Sequence, residues 1–256
     1  MQPYQVSFNG NRIDTIPGVY LYFYDFTRLP QRQINIHKLA RKSLSIVTSS
    51  EYTQKEIPVF LDICSGTRQD TEATVTEVKS VIQAQNGTLK VLQAGIEVQY
   101  TVTMNEFNIE WNANNAYVQI VFLASSPIGT ASNSESLFNI TGITLPSGNQ
   151  TFVVEGSFLS EPTITVVINT VTGGSPGTIN LINAVNNQGI SVTSNFTAGS
   201  ILEVNSRDYT VTLNGANLDY TGLFPTFAPG SQQVAYSDTF TTRSVDVSAT
   251  YNQKLI

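Results

Sequence analysis

The groups able to do chemistry are few. The chain of 256 residues has one histidine, His37, and one cysteine, Cys64. His37 sits in "INIHKLA", where apolar neighbours alternate around it, the setting of a structural imidazole. A serine or cysteine triad would need His37 as its base, and no nucleophile elbow is present to pair with it. Without a second histidine or cysteine, ordinary tetrahedral zinc ligation is excluded. Cys64 lies in "VFLDICSG", an apolar run that predicts a buried, inert thiol, and a lone cysteine forms no internal disulfide. Carboxylates remain. Glu106 with Glu110, and Glu155 with Glu161, are close in sequence, and paired acids are the machinery of a glycosidase. Four residues along a strand rise roughly 13 Å, more than such a pair uses. No catalytic, cofactor-binding or metal-binding residue is assigned from these groups. The expectation is a chain that is no enzyme and carries no cofactor.

Two binding chemistries fare little better. A phosphate loop is Gly-rich and feeds a helix, whereas "TGGSPGT" (172–178) has strand-like runs on both sides and reads as a hairpin or surface loop. A sugar site combines an aromatic platform with polar groups. The single tryptophan, Trp111, is in the first half. The second half offers Tyr209, Tyr220, Tyr236 and Tyr251, with Arg207, Arg243 and Lys254 as its three cations. Charged residues are 12% of the chain and the net charge is −6. Cations this sparse do not track a phosphate backbone. The exception is "RLPQRQINIHKLARK", with Arg28, Arg32, Lys38, Arg41 and Lys42, which reads as a solvated or subunit-facing surface. No basic-then-apolar leader opens the sequence, and no stretch reaches the roughly 18 apolar residues of a membrane helix. A soluble protein made in a cytoplasm, with no membrane insertion, is expected. The sequons at Asn86, Asn139, Asn149 and Asn195 then read as chance.

The elements fall into two kinds. From 137 to 250 the chain is strand and turn, with runs such as "TITVVIN", "TINLIN" and "SVDVSATY" every 8 to 12 residues or so, the spacing of an all-β sandwich or barrel. In "DYTVTLNG", Tyr209, Val211 and Leu213 share a face and Thr210 and Thr212 the other. Asn214-Gly215 supplies a tight turn, after which Leu218 and Tyr220 resume the alternation. The first half is mixed. "DTEATVTEVKSVIQAQNG" predicts its helix, capped by Asp70 and ended at Gly87, with Val75, Val78 and Ile82 as the apolar stripe. Six or seven strand-like runs surround it, so an α+β domain is expected. One of them, "GVYLYFYDF", is apolar on both faces: Val19, Leu21, Phe23 and Asp25 against Tyr20, Tyr22, Tyr24 and Phe26. "SSPIGTASNSES" (125–136) reads as a linker, dividing the chain into domains 1–130 and 131–256.

The stretch "TGLFPTFAPGSQQVAYSDTF" and the later "SVDVSATYNQKLI" resemble the C-terminal signature of siphophage distal tail proteins: a glycine, an aromatic-Pro pair, a Pro-Gly, a short strand, and a last strand ending in tyrosine and a short tail. Ser231 stands where that family commonly has Asn. Upstream, "YTVTLNGAN" and "GSILEVNS" are similar to the family's preceding hairpin and strand. "RQINIHKLARKSLSIVTSSEYTQKEIPVFLDI", the helix and "GTLKVLQ" resemble its ring-forming N-terminal domain. The resemblance implies a mainly β chain: an N-terminal α+β ring-forming domain, then a galectin-like β-sandwich. It implies a structural role, a hexameric ring of copies of this chain at the distal end of the virion tail. The ring would join the tail-tube protein to the tail-tip hub and receptor-binding components, with DNA passing through its lumen unbound. The proline-stiffened loop would pack either onto a neighbouring subunit or, as is favoured, onto its own sandwich, with Phe224 and Phe227 plugging the end. A carbohydrate-binding β-sandwich adhesin is the alternative.

Overall fold

The computed structural model describes residues 5–24, 32–38, 45–52, 54–83, 86–93, 95–173 and 175–255; for Phe23 and for residues 32–38 and 45–52 it describes the backbone alone. The chain forms two compact units, Met1–Ser132 and Asn133–Leu255. Both are mainly β, and one α-helix occurs among the described residues.

The strands of the first unit are β1 (Val6–Phe8), β2 (Asn11–Arg12), β3 (Val19–Tyr24), β4 (Arg32–Lys38), β5 (Ser45–Tyr52), β6 (Lys55–Ile63), β7 (Asn86–Gln93), β8 (Ile96–Asn112), β9 (Asn115–Ala124) and β10 (Gly129–Ala131). Eight make one antiparallel sheet, in the order β2-β1-β7-β8-β9-β6-β3 with β10 added on β8, while β4 and β5 pair as a separate two-stranded ribbon. Period-two alternation makes the core. Ile57, Val59 and Leu61 of β6 stand opposite Phe122, Ile120 and Val118 of β9, and all six are buried. The helix α1 (Arg68–Ile82) buries Val75, Val78 and Ile82, the stripe its sequence predicts, and packs against β6 and β9. Its ends differ from expectation. Thr67 is the cap: its hydroxyl accepts the Asp70 N–H at 3.2 Å and donates to the Asp70 carboxylate at 2.6 Å. Asp70 therefore sits inside the first turn, where its charge suits the helix dipole. Gly87 lies in β7, where an added Cβ would come within 2.4 Å of the Phe8 ring.

The segment expected as a linker holds a strand. Thr130 and Ala131 of β10 pair with Gln99 and Val98 of β8. A Cβ on Gly129 would meet Tyr100 and Val98 at 2.4 Å, so β10 lies this close only because residue 129 has no side chain.

The second unit is a sandwich of two antiparallel sheets. Its strands are β11 (Glu135–Ile143), β12 (Ser147–Val154), β13 (Thr163–Thr172), β14 (Gly177–Asn183), β15 (Gln188–Ser194), β16 (Ile201–Asn205), β17 (Thr210–Leu213), β18 (Ala216–Asn217), β19 (Thr221–Gly222), β20 (Gly230–Asp238) and β21 (Thr242–Tyr251). One sheet runs β11-β21-β13-β16-β17-β18 and the other β12-β20-β14-β15-β19. Ile164, Val166 and Val247 of the first share one core with Ile179, Leu181, Val192 and Val234 of the second. Phe227, fully buried, meets Phe152 edge-on at 5.0 Å, and Phe224 joins the same core. The turn after β17 has Asn214 at φ 52° and Gly215 at φ 80°, the two left-handed residues its sequence requires. Tyr209 departs from the predicted alternation. It precedes β17 at φ 54° and is 64% exposed, so Val211 alone of that trio is fully buried.

An ion pair is sealed into this sandwich. Asp238 accepts from Arg243 Nε at 2.8 Å, from the Phe240 N–H at 2.8 Å and from the Tyr236 hydroxyl at 2.8 Å. The Asp238 and Arg243 side chains are 0% and 6% exposed. Removing one partner strands the other charge in the core. Asp238→Ala is expected to lower the stability of this unit by about 3–5 kcal/mol, read as a fall in the thermal midpoint. In the first unit, the buried Tyr100 ring lies 5.4 Å from Lys55 Nζ, and its hydroxyl has no hydrogen-bond partner among the described residues. Burial pushes the Tyr100 phenol up to about 12. The unfolded chain ionises first, near pH 10, so stability present below that pH is lost as pH rises toward 12, by about 2–3 kcal/mol. Tyr100→Phe is expected to leave stability at pH 7 within about 1 kcal/mol of wild type and to flatten that alkaline decline. Urea melts at pH 7 and pH 11 check both statements.

Candidate assembly surfaces

The residues singled out for chemistry are scattered. Glu106 and Glu110 lie on the exposed face of β8, opposite Val121 and Tyr117 of β9, and Glu106 accepts from Asn108 Nδ2 at 3.3 Å. Glu155 and Glu135 both accept from the side-chain amide of Gln253, at 3.1 and 2.9 Å. Glu161 takes the Lys254 ammonium at 2.6 Å. Cys64 is exposed, contrary to the burial its apolar run predicts. It falls one residue past the end of β6, where the chain leaves the sheet and its N–H bonds to the Gly18 carbonyl at 2.8 Å. His37, Arg32 and Lys38 are in β4, whose side chains are outside the description; Arg28, Arg41, Lys42, Asp25 and Phe26 lie outside the described residues. Among the described residues there is no cluster of three or more metal-ligating side chains, and no helix is long and apolar enough to cross a membrane.

What the first unit does present is aromatic surface. Tyr20 and Tyr22 of β3 are 62% and 81% exposed, and Tyr117 of β9 is exposed beside them. In strict alternation Tyr24 would join them. A register shift between Leu21 and Phe23 turns the strand, so that Tyr24 is buried and donates its hydroxyl to the Leu92 carbonyl. Tyr22, Phe60, Asn108, Tyr117 and Gln119 line a shallow groove of about 340 Å³ on this face. On the other face of β8 the helix supplies cations to aromatic rings. The Arg68 guanidinium lies 3.4 Å from the Trp111 ring centroid, and Lys79 Nζ 5.2 Å from that of Phe107. Between α1 and β8 runs a second groove of about 470 Å³, lined by Lys79, Ile82, Met104 and Phe107.

Among the described residues the second unit has one exposed aromatic group. Tyr209 and Tyr220 meet the buried Phe224 edge-on, at 5.5 and 5.0 Å, and Leu223 is exposed next to it. Asn205 stiffens the turn carrying Tyr209, its side-chain carbonyl accepting the N–H groups of Arg207 and Asp208 at 3.0 Å each. A Cβ on Gly222 would stand 2.2 Å from the Gly189 carbonyl, so the chain after Tyr220 hugs β15 only with glycine there.

The chain is mainly β, exposes a few tyrosines over a largely aromatic and aliphatic core, and has its acids dispersed. Residues 155–254 match the family described as siphovirus-type tail component, C-terminal domain. Among solved structures, the SPP1 Dit protein, described as a paradigm of hub adsorption apparatus in phages infecting Gram-positive hosts, aligns over 100% of both chains with a TM-score of 0.72 at 12% identity. A chain of the phage P2 baseplate in its activated conformation with Ca aligns over 96% of this chain and 97% of its own, with a TM-score of 0.43 at 10% identity. No curated protein matches the chain by sequence. The family match within the second unit and the full-length fold likeness thus agree with the resemblance to distal tail proteins drawn from the sequence.

The exposed and buried tyrosines of β3 make a direct test of which side chains serve the fold. Tyr20→Ser and Tyr22→Ser are expected to change folding free energy by no more than about 0.5 kcal/mol each. Tyr24→Phe, which leaves the Leu92 carbonyl without its donor, is expected to cost about 1 kcal/mol or more. Chemical denaturation of the three variants reads the difference.

Proposed function

We propose that this protein is the distal tail protein of a long-tailed phage. Copies of it form a hexameric ring between the tail tube and the tail-tip, receptor-binding apparatus. The full-length likeness to a hub protein supports this reading, and so does the kind of surface the chain exposes. Tyr20, Tyr22 and Tyr117 are rigid, amphipathic side chains that serve no buried role in their own unit, and residues of this type anchor protein interfaces. In this reading the first unit builds the ring and its lumen, the galectin-like second unit projects from it, and the protein is no enzyme. The chain sits in the virion after synthesis in the host cytoplasm. Its lumen is neutral or acidic, so that DNA slides through unbound; Arg28, Arg32, Lys38, Arg41 and Lys42 then face elsewhere.

A carbohydrate-binding adhesin is the second reading, favoured by the Tyr209 and Tyr220 rings set around Phe224 on a stiff turn. Electron micrographs of the purified protein are expected to show six-fold rings, and light scattering a mass about six times the 27.9 kDa monomer. A monomer at all concentrations and no ring on tail tubes would refute the ring. Saturable binding of cell-wall sugars, lost in Tyr209→Ala, would favour the adhesin.

A further inference from the structure

We infer that the second unit carries a pocket for one neutral sugar ring, built by the turn 205–209 and the outer face of β13 and β21. The inference names a site and a ligand class for the sugar-binding reading above, apart from the aromatic group around Phe224. It does not depend on the ring.

Glu161, Thr163, Asn205, Arg207, Asp208 and Thr250 line a pocket of about 250 Å³. Strand register sets its floor. Thr163 of β13 stands opposite Thr250 of β21 on one side and Asn205 of β16 on the other, so the three share one row across the sheet. The next residues along these strands, Ile164, Ala249 and Val204, are buried in the core, and alternation therefore turns the row to the outer face.

Asn205 also organises the wall. Its side-chain carbonyl holds the N–H groups of Arg207 and Asp208, and its amide donates to an Asp208 carboxylate oxygen at 2.9 Å. The Ser206 N–H bonds to the Pro162 carbonyl at 3.0 Å, which ties the turn to the segment carrying Glu161. A pocket already held in place loses little entropy when a ligand enters.

Charge selects the ligand. Lys254 gives its ammonium to Glu161 at 2.6 Å, so each of these charges is answered by the other. The Arg207 guanidinium has no partner among the described residues. A guanidinium only donates and a carboxylate only accepts, whereas a sugar hydroxyl does both. Side by side in the turn, Arg207 and Asp208 serve two neighbouring hydroxyls of one ring, and the Thr163 and Thr250 hydroxyls add groups of either kind. A phosphate would gain Arg207 but meet Asp208 and Glu161. An ammonium group would gain Asp208 but meet Arg207 and Lys254. The volume lies below the roughly 300–1,000 Å³ of sites for drug-sized ligands, which suits a single ring. Tyr209, next in the turn and 64% exposed, supplies an aromatic surface for the apolar side of such a ring.

Saturation-transfer NMR on the full-length protein tests the pocket, with glucose, galactose and N-acetylglucosamine as probes and glucose 6-phosphate and glucosamine as charged comparators. At least one neutral sugar is expected to bind saturably, and the charged sugars about tenfold more weakly or not at all. Arg207→Gln and Asp208→Asn each remove a hydrogen bond to a charged group and are expected to weaken binding about tenfold or more. Both side chains are exposed, so the variants should keep the thermal midpoint of wild type. Tyr220→Ala, in the aromatic group around Phe224, is expected to bind as wild type does. Binding that survives in Arg207→Gln and Asp208→Asn but is lost in Tyr220→Ala would overturn this pocket and leave the sugar-binding reading standing. Binding unchanged in all three variants would overturn the pocket as well. Glucose 6-phosphate binding as tightly as the neutral sugars would overturn the ligand class. No binding of any neutral probe at about 100 mM would overturn the inference and the sugar-binding reading together.

Discussion

A strand offers hydrogen-bonding groups on two sides, and those its neighbours do not take remain open to any other strand. This constraint shapes both units, with different outcomes. In the sandwich, one end of each sheet finishes in a two-residue strand, β18 and β19, which presents little edge to pair with. In the first unit β8 is 17 residues long and its neighbours are shorter. β10 takes up part of it at Val98 and Gln99, which requires Gly129. Beyond Thr103 the β7 side of β8 has no strand partner among the described residues. An edge left long and unblocked is open to pairing with another strand.

Side-chain placement follows the same division. The second unit holds a sealed charge pair, Asp238 with Arg243, inside a cage of hydrogen bonds from Tyr236 and Phe240. Such a pair adds little net stability over apolar packing, but it punishes any arrangement that separates the partners. The first unit places its cation–aromatic pairs on the face of β8, at Trp111 and Phe107, where each helix cation flattens against a ring. A β-hairpin tip that would otherwise waver is thus held against α1, and Arg68 also donates to the carbonyl of Ala113 in the turn itself. An edge held in place loses less entropy on pairing than one that must first be ordered.

Much of this was legible in the sequence because period-two alternation is a strong signal. Most strands of both units, the Asn214-Gly215 turn and the apolar stripe of α1 stand where the pattern puts them, but β10 lies in the segment read as a linker, and the return strand after Gly215 ends at Asn217, short of Leu218 and Tyr220. Failures occurred where one local contact outranked the pattern. Thr67, not Asp70, caps the helix, because either hydroxyl or carboxylate can accept the same orphan N–H groups and the choice depends on where the chain enters. Tyr209 left its strand for a left-handed turn fixed by Asn205, and Tyr24 changed faces at a register shift that no composition rule marks. Cys64 ended an apolar run yet lies past the last strand residue, where burial stops. The open edge of β8 could not be read from sequence at all, since it depends on where β7 ends relative to β9, a property of register between strands.

Hydroxyl-bearing aromatics then explain how a chain with so few reactive groups can be specific. Tyr and Trp bring large contact areas while losing the freedom of only two side-chain torsions, and they tolerate water when unpartnered. Tyr20 and Tyr22 remain solvated in a single copy without threatening its solubility, whereas leucines there would form an adhesive patch.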